Sequence, residues 1–279
     1  MAAFARFVEW QINEGVNGVI VNGTTGESPT VSEAEQDALV AEALKVAKGR
    51  IPVIAGTGGN DTAHVIARTR KAAEQGAQAA LIVTPYYNKP TQEGMYQHFK
   101  AVHDATSLPI IIYNIPARSV VDMTVETMKR LAELPRIVGV KDATADLARP
   151  LRTRTEIGPQ FLQLSGEDAT VGAFLAQGGH GVISVTSNVA PRLYSELYKA
   201  WGAGDYATFA ARRDALMPIH SALFCETSPA PVKYGTSLLG FGSDSVRLPL
   251  VAATPAARAR MEAALKCAGL LGEACRVAS

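Results

Sequence analysis

The chain has 279 residues, 47% hydrophobic and 19% charged, with Lys plus Arg at 27 against Asp plus Glu at 26. That length and balance fit one large α/β domain or two smaller ones and exclude a strong field for nucleic acid or a membrane surface. Cys225, Cys267 and Cys275 fall in no CxxC-like spacing, and no signal-like start or span-length apolar run occurs, so the chain is expected to be cytoplasmic, with no metal and no disulfide frame.

Residues 1–14 read as a helix, with Phe4, Phe7, Val8 and Ile12 on one face. Short apolar runs then recur at 18–23, 51–58, 79–85, 109–116, 137–144, 161–166 and 180–185. Helix-period stretches at 32–48, 62–75 and 91–106 separate them; Ser32 with Glu35 forms a capping-box pattern, and Gly49 and Gly76 sit where helices stop. Such strand–helix repetition builds right-handed βαβ units and a parallel sheet. Its even spacing predicts an α/β (β/α)8 TIM barrel over 1–203, followed by a C-terminal helical segment over 204–279. Eight strands are needed and seven are visible. The expected first strand is missing, which would leave two unpaired edges; a start upstream of Met1 is favoured over a tolerated gap.

In a barrel of this kind the chemistry lies at the C-terminal strand ends. The fifth visible run closes with Lys141, followed by Asp142-Ala143-Thr144. Burying an ammonium is costly, so the position implies either an ion pair or a use, and a desolvated amine condenses with carbonyls to a Schiff base. Other strand ends carry hydroxyls and one cation. Gly23-Thr24-Thr25-Gly26-Glu27-Ser28 is a Gly-rich turn that can hold a carboxylate and lacks a P-loop lysine. Tyr86 and Tyr87 lie in a Pro-bounded loop, as packing or as site residues, and point different ways if that loop is extended. Tyr113 ends its strand, and Arg118, the lone charge between Leu108 and Val121, has a fork suited to a carboxylate.

Six ordered motifs carry a resemblance: GTTGES (23–28), TPYYNKP (84–90), YNIPAR (113–118), VGVKDAT (138–144), LSGED (164–168) and GGHGVISV (178–185). Together they resemble the dihydrodipicolinate synthase family of pyruvate-dependent class I aldolases, from Met1 to about Leu271. The resemblance implies a lyase that condenses pyruvate with L-aspartate 4-semialdehyde to 4-hydroxy-tetrahydrodipicolinate, in diaminopimelate and lysine biosynthesis. Lys141 matches the Schiff-base lysine, while Tyr113, Thr24 and Tyr87 match a proton relay in which Tyr87 comes from a neighbouring subunit. Thr25 matches the group holding the pyruvate carboxylate, Arg118 the group holding the aldehyde's carboxylate, and Gly166 and Ile183 the pocket lining. The expectation is a homo-oligomer, a dimer of dimers, with no dissociable cofactor.

Positions matching a lysine-effector site are Ser28, Glu33, Gln36, Asn60, His64 and Tyr86. Asn60 and Tyr86 fit the responsive pattern; His64 stands where a carboxylate is expected, and Glu33 and Gln36 also depart. Weak or absent lysine inhibition follows. Two rivals are an N-acetylneuraminate lyase or 2-keto-3-deoxy sugar acid aldolase, which would share Lys141 and Tyr113, and a non-catalytic paralogue. Tyr87, the GTTGES loop and Arg118 favour the synthase. His98, His103 and His220 read as surface or packing residues.

Overall fold

The computed structural model describes residues 1–272; Cys275 and the end of the expected 204–279 segment lie outside the described residues. Helix α1 (Ala2–Asn13) leads into strand β1 (Val19–Val21). Then α2 (Glu33–Ala47), β2 (Val53–Gly56), α3 (Thr62–Gln75), β3 (Ala79–Val83), α4 (Gln92–Ala105) and β4 (Ile110–Asn114) alternate. The short α5 (Pro116–Ser119), α6 (Val125–Ala132), β5 (Ile137–Asp142), α7 (Arg149–Ile157), β6 (Leu162–Ser165), α8 (Val171–Ala176) and β7 (Gly181–Val182) complete the sheet region. Four helices follow: α9 (Pro191–Ala203), α10 (Tyr206–Leu223), α11 (Ala230–Leu238) and α12 (Pro255–Cys267).

The strands run in order from β1 to β7, every pair parallel. This is the TIM-barrel-like α/β arrangement that the strand–helix alternation predicts. Among the described residues β1 pairs only with β2 and β7 only with β6, so the curled sheet carries seven strands. Side chains on one strand alternate between two cores, as a period of two requires. Val21, Ala55, Ile82, Ile112 and Val140 face the helices, whereas Ile20, Ile54, Leu81 and Ile111 face the interior. Contacts from α1 bring the two sheet edges into one neighbourhood. Gln11 Nε2 donates to Ser187 O at 3.1 Å, just beyond β7, and the Arg192 guanidinium holds Glu14 at 2.6 Å.

Local sequence explains the element ends. Ser32 and Glu35 form the reciprocal capping box, with Ser32 N donating to Glu35 Oε2 at 2.8 Å and Glu35 N to Ser32 Oγ at 3.4 Å. At the other end of α2 the left-handed cap is Lys48 (φ 49°), one residue before the expected Gly49. Gly56 is required for a different reason, since a Cβ there would meet Asn22 O at 2.2 Å.

The C-terminal helices have a core of their own. Leu197 on α9 and Leu216, Ile219 and Leu223 on α10 share it with Val171 and Leu175 on α8 and with Met261 on α12. The expected division between 203 and 204 therefore falls between two helices packed in one core. Among the described residues no helix is long and apolar enough to cross a membrane.

Candidate active site

Strand register builds the centre of the site. Tyr113 on β4 is paired with Lys141 on β5, and Lys141 in turn with Leu164 on β6. Paired residues on neighbouring strands project from the same face, here the interior. Lys141 is 8% exposed and Tyr113 is 7% exposed, and Lys141 Nζ stands 4.1 Å from the centre of the Tyr113 ring. Leu81, Ile111 and Ala143, with partly buried Val83, Leu164 and Ile183, make the surrounding layer apolar. A cation over a tyrosine face gains from the ring quadrupole, which offsets part of the desolvation cost.

Behind this pair lies a charged cluster that sequence reasoning missed. Asp142 and Asn114, the residues after Lys141 and Tyr113, are also paired in register. Arg149, at the start of α7, places Nε 3.0 Å from Asp142 Oδ2 and donates from Nη1 to Asp122 at 3.1 Å. Its Nη2 also donates to Met123 O. Asn114 Nδ2 donates to Asp122 Oδ1 at 2.7 Å and its Oδ1 accepts from Met123 N at 3.0 Å. Burial raises the Asp142 carboxyl above its ordinary range, against hydrogen bonds from Thr144 and the charge of Arg149. The cluster ties the ends of β4 and β5 together where Tyr113 and Lys141 emerge.

The loop after β1 holds Thr24 and Thr25, both half-buried, in a 3-10 turn. Glu27 follows in left-handed conformation (φ 55°) and is 9% exposed. Its Oε1 accepts from Arg247 N at 2.8 Å and its Oε2 is held by Lys233 Nζ. Burial acts to raise this carboxyl, but these donors bring it below its usual range. The Arg247 side chain also reaches Thr30 O at 2.7 Å and Glu35 Oε1 at 2.6 Å. The C-terminal segment therefore pins the hydroxyl-bearing loop, a second arrangement the sequence reading missed.

The other expected residues divide. Gly166 lies beside the strand ends, with its N donating to Asp142 O at 2.6 Å, and a Cβ there would meet that of Ala143 at 2.5 Å. Ile183 lines the interior layer. Arg118, on α5, is exposed and makes no ion pair among the described residues. Tyr87 is 87% exposed with φ 71°, so its loop is not the extended segment considered above, and Tyr86 is 38% exposed. The hydroxyls of Thr24, Tyr87 and Tyr113 make no hydrogen bond to one another among the described residues.

Around the expected effector positions, His64 Nδ1 lies 3.6 Å from Glu33 Oε1, and Gln36 Nε2 donates to Ser28 O at 3.1 Å. Asn60 O accepts from Asn88 Nδ2 at 2.9 Å. Among the described residues no group of three His, Cys, Asp or Glu is placed to hold a metal ion. His98, His103 and His220 are buried packing residues.

A parallel TIM-barrel-like sheet with a lysine buried at one strand's C-terminal end puts a potentially nucleophilic amine at the end of the barrel where such folds carry their active sites. Comparison with known proteins narrows the class. Residues 1–268 match the profile of the dihydrodipicolinate synthetase family. A 4-hydroxy-tetrahydrodipicolinate synthase of Rhodospirillum centenum is 63% identical over 96% of this chain and 92% of that protein. A monomeric dihydrodipicolinate synthase variant superposes with TM-score 0.95 at 43% identity, covering 97% of this chain and 91% of the other. The pyruvate complex of a chloride-inhibited enzyme from Acinetobacter baumannii gives 0.94 at 42%, over 97% and 93%. The chain belongs to the dihydrodipicolinate synthetase family.

Proposed function

We propose that this chain condenses pyruvate with L-aspartate 4-semialdehyde to give 4-hydroxy-tetrahydrodipicolinate, through an imine on Lys141. The observation that carries the reading is the register pair Tyr113–Lys141, with the amine 4.1 Å from the ring centre in an apolar layer. The Lys141 amine attacks the pyruvate carbonyl and water leaves, forming an iminium. The iminium draws electrons from the methyl group, which loses a proton and becomes an enamine. Tyr113, beside the nitrogen, passes that proton through Thr24 to Tyr87 of a neighbouring subunit. The enamine carbon bonds to the aldehyde carbon as its C=O π bond opens and the oxygen takes a proton. The second substrate's ammonium then gives up a proton, and the free amine attacks the imine carbon, closing the ring and expelling the Lys141 amine. The iminium is the electron sink, so the scheme uses no metal and no dissociable cofactor.

Thr25 and the backbone of Gly166 and Ile183 hold the pyruvate end, and Arg118 receives the aldehyde's carboxylate. An exposed tyrosine held at positive φ supports a site completed by a second copy, within a dimer or a dimer of dimers. Lysine inhibition is weak or absent, because Glu33 and His64 face each other where an effector amine would need a free carboxylate. Turnover tests the reading. Pyruvate with aspartate semialdehyde should give the ring product, whereas cleavage of N-acetylneuraminate or of a 2-keto-3-deoxy sugar acid in its place would overturn it.

A further inference from the structure

One acid at the barrel mouth has no part in this scheme. Glu167 directly follows Gly166, two residues beyond β6. Leu164 lies opposite Lys141, and Gly166 N donates to Asp142 O at 2.6 Å, so the chain leaving β6 stands beside the end of β5. A reciprocal pair fixes the turn: Glu167 N donates to Ser165 Oγ at 3.0 Å, and Ser165 Oγ donates to Glu167 O at 3.1 Å. The Glu167 residue is half-buried, and its carboxyl makes no hydrogen bond or ion pair among the described residues.

The other acids at the strand ends are taken. Asp142 has Arg149, and Glu27 has Lys233 and Arg247 N. Asp168 accepts from Val185 N at 2.9 Å, Thr186 N at 3.1 Å and the Tyr194 hydroxyl at 2.8 Å. Burial and the Asp168 carboxylate raise the Glu167 carboxyl above its usual range, while the charge of Lys141 acts in the opposite sense. Such a group gains from a cation brought to it.

We infer that Glu167 receives the α-ammonium of the second substrate and makes the site select an amino aldehyde. The inference rests on aspartate semialdehyde being that substrate. The molecule presents one carboxylate, one aldehyde carbon and one ammonium. Arg118 answers the first and the Lys141 enamine the second, which leaves Glu167 as the unpartnered carboxylate for the third.

The test compares aspartate semialdehyde with succinic semialdehyde, which lacks only the amine. Succinic semialdehyde is followed by pyruvate consumption or, if it is not turned over, by its inhibition constant. Glu167→Gln should lower kcat/KM for aspartate semialdehyde by about ten- to hundred-fold, the range for a lost charge-assisted hydrogen bond. The succinic semialdehyde constant should stay unchanged, and Glu167→Asp should recover part of the loss. Equal losses with both aldehydes, in a variant that still forms the pyruvate imine, would overturn the inference alone. A wild-type protein that forms the imine but turns over neither aldehyde would overturn the assigned reaction and this inference with it.

Discussion

Tyr113 and Tyr87 are both assigned to proton transfer, yet the chain treats them oppositely. Tyr113 is 7% exposed on a central strand, with Lys141 beside it and the Arg149 cluster behind it. Tyr87 is 87% exposed, in a loop where it and Lys89 both have positive φ. A non-glycine residue in the left-handed region costs roughly 1–2 kcal/mol, so that conformation is held by its surroundings. Asn88 contributes, with its N bonded to Tyr86 O at 2.9 Å and its side chain to Asn60 O at 2.9 Å. One half of the proposed relay is thus part of the fold. The other half is presented outward.

Several substitutions would break or sharpen this contrast. Tyr113→Phe should lower kcat by about 10²–10⁴-fold, the range for a positioned acid–base group. Imine formation with pyruvate should persist, and steady-state kinetics beside imine trapping separates the two effects. Arg149→Leu leaves the Asp142 carboxylate buried without its partner and should cost about 3–5 kcal/mol in urea unfolding. Adding Asp142→Asn should recover much of that loss if the cluster acts as one unit.

The α3–α4 pair, whose strand β3 leads into the Tyr87 loop, carries a pH-sensitive contact. His98 Nδ1 lies 2.9 Å from Thr62 Oγ1, and burial lowers its pKa to about 4. The folded state therefore prefers the neutral ring. The stability this group contributes is present above its unfolded pKa near 6.5 and is lost as pH falls through about 4. About 2 kcal/mol should disappear between pH 7 and pH 5, and His98→Gln should flatten that slope in denaturant titrations. Tyr87→Phe should have the smallest effect, roughly a ten-fold fall in kcat for the distal relay member. Mixing it with Lys141→Ala should raise activity per intact Lys141 above that of Tyr87→Phe alone, because one site in each hybrid is intact; confirmed hybrids no more active per Lys141 than Tyr87→Phe would sink the shared-site reading.

The strand-built half of the site was legible because one rule governs it. A run such as Ile137–Val140 ending in Lys141 fixes which side chains face inward, and equivalent runs place Tyr113 on the adjacent strand. The seven strands and the Ser32–Glu35 box followed from equally local patterns. What escaped depends on distant partners. Lys233 and Arg247 lie 206 and 220 positions from Glu27, and nothing near GTTGES announces them. Arg149 sits among Arg152 and Arg154 on one helix, where a buried arginine reads like its exposed neighbours. The positive φ of Tyr87 had no glycine or Asn-Gly signal to mark it.

The most direct measurement is the intact mass of the protein after borohydride reduction with pyruvate present, beside Lys141→Ala. A single reduced pyruvyl adduct on the wild type and none on a folded Lys141→Ala protein is the expected result. An adduct that survives in Lys141→Ala, or no adduct on a folded wild type, would contradict the assignment of the imine to Lys141.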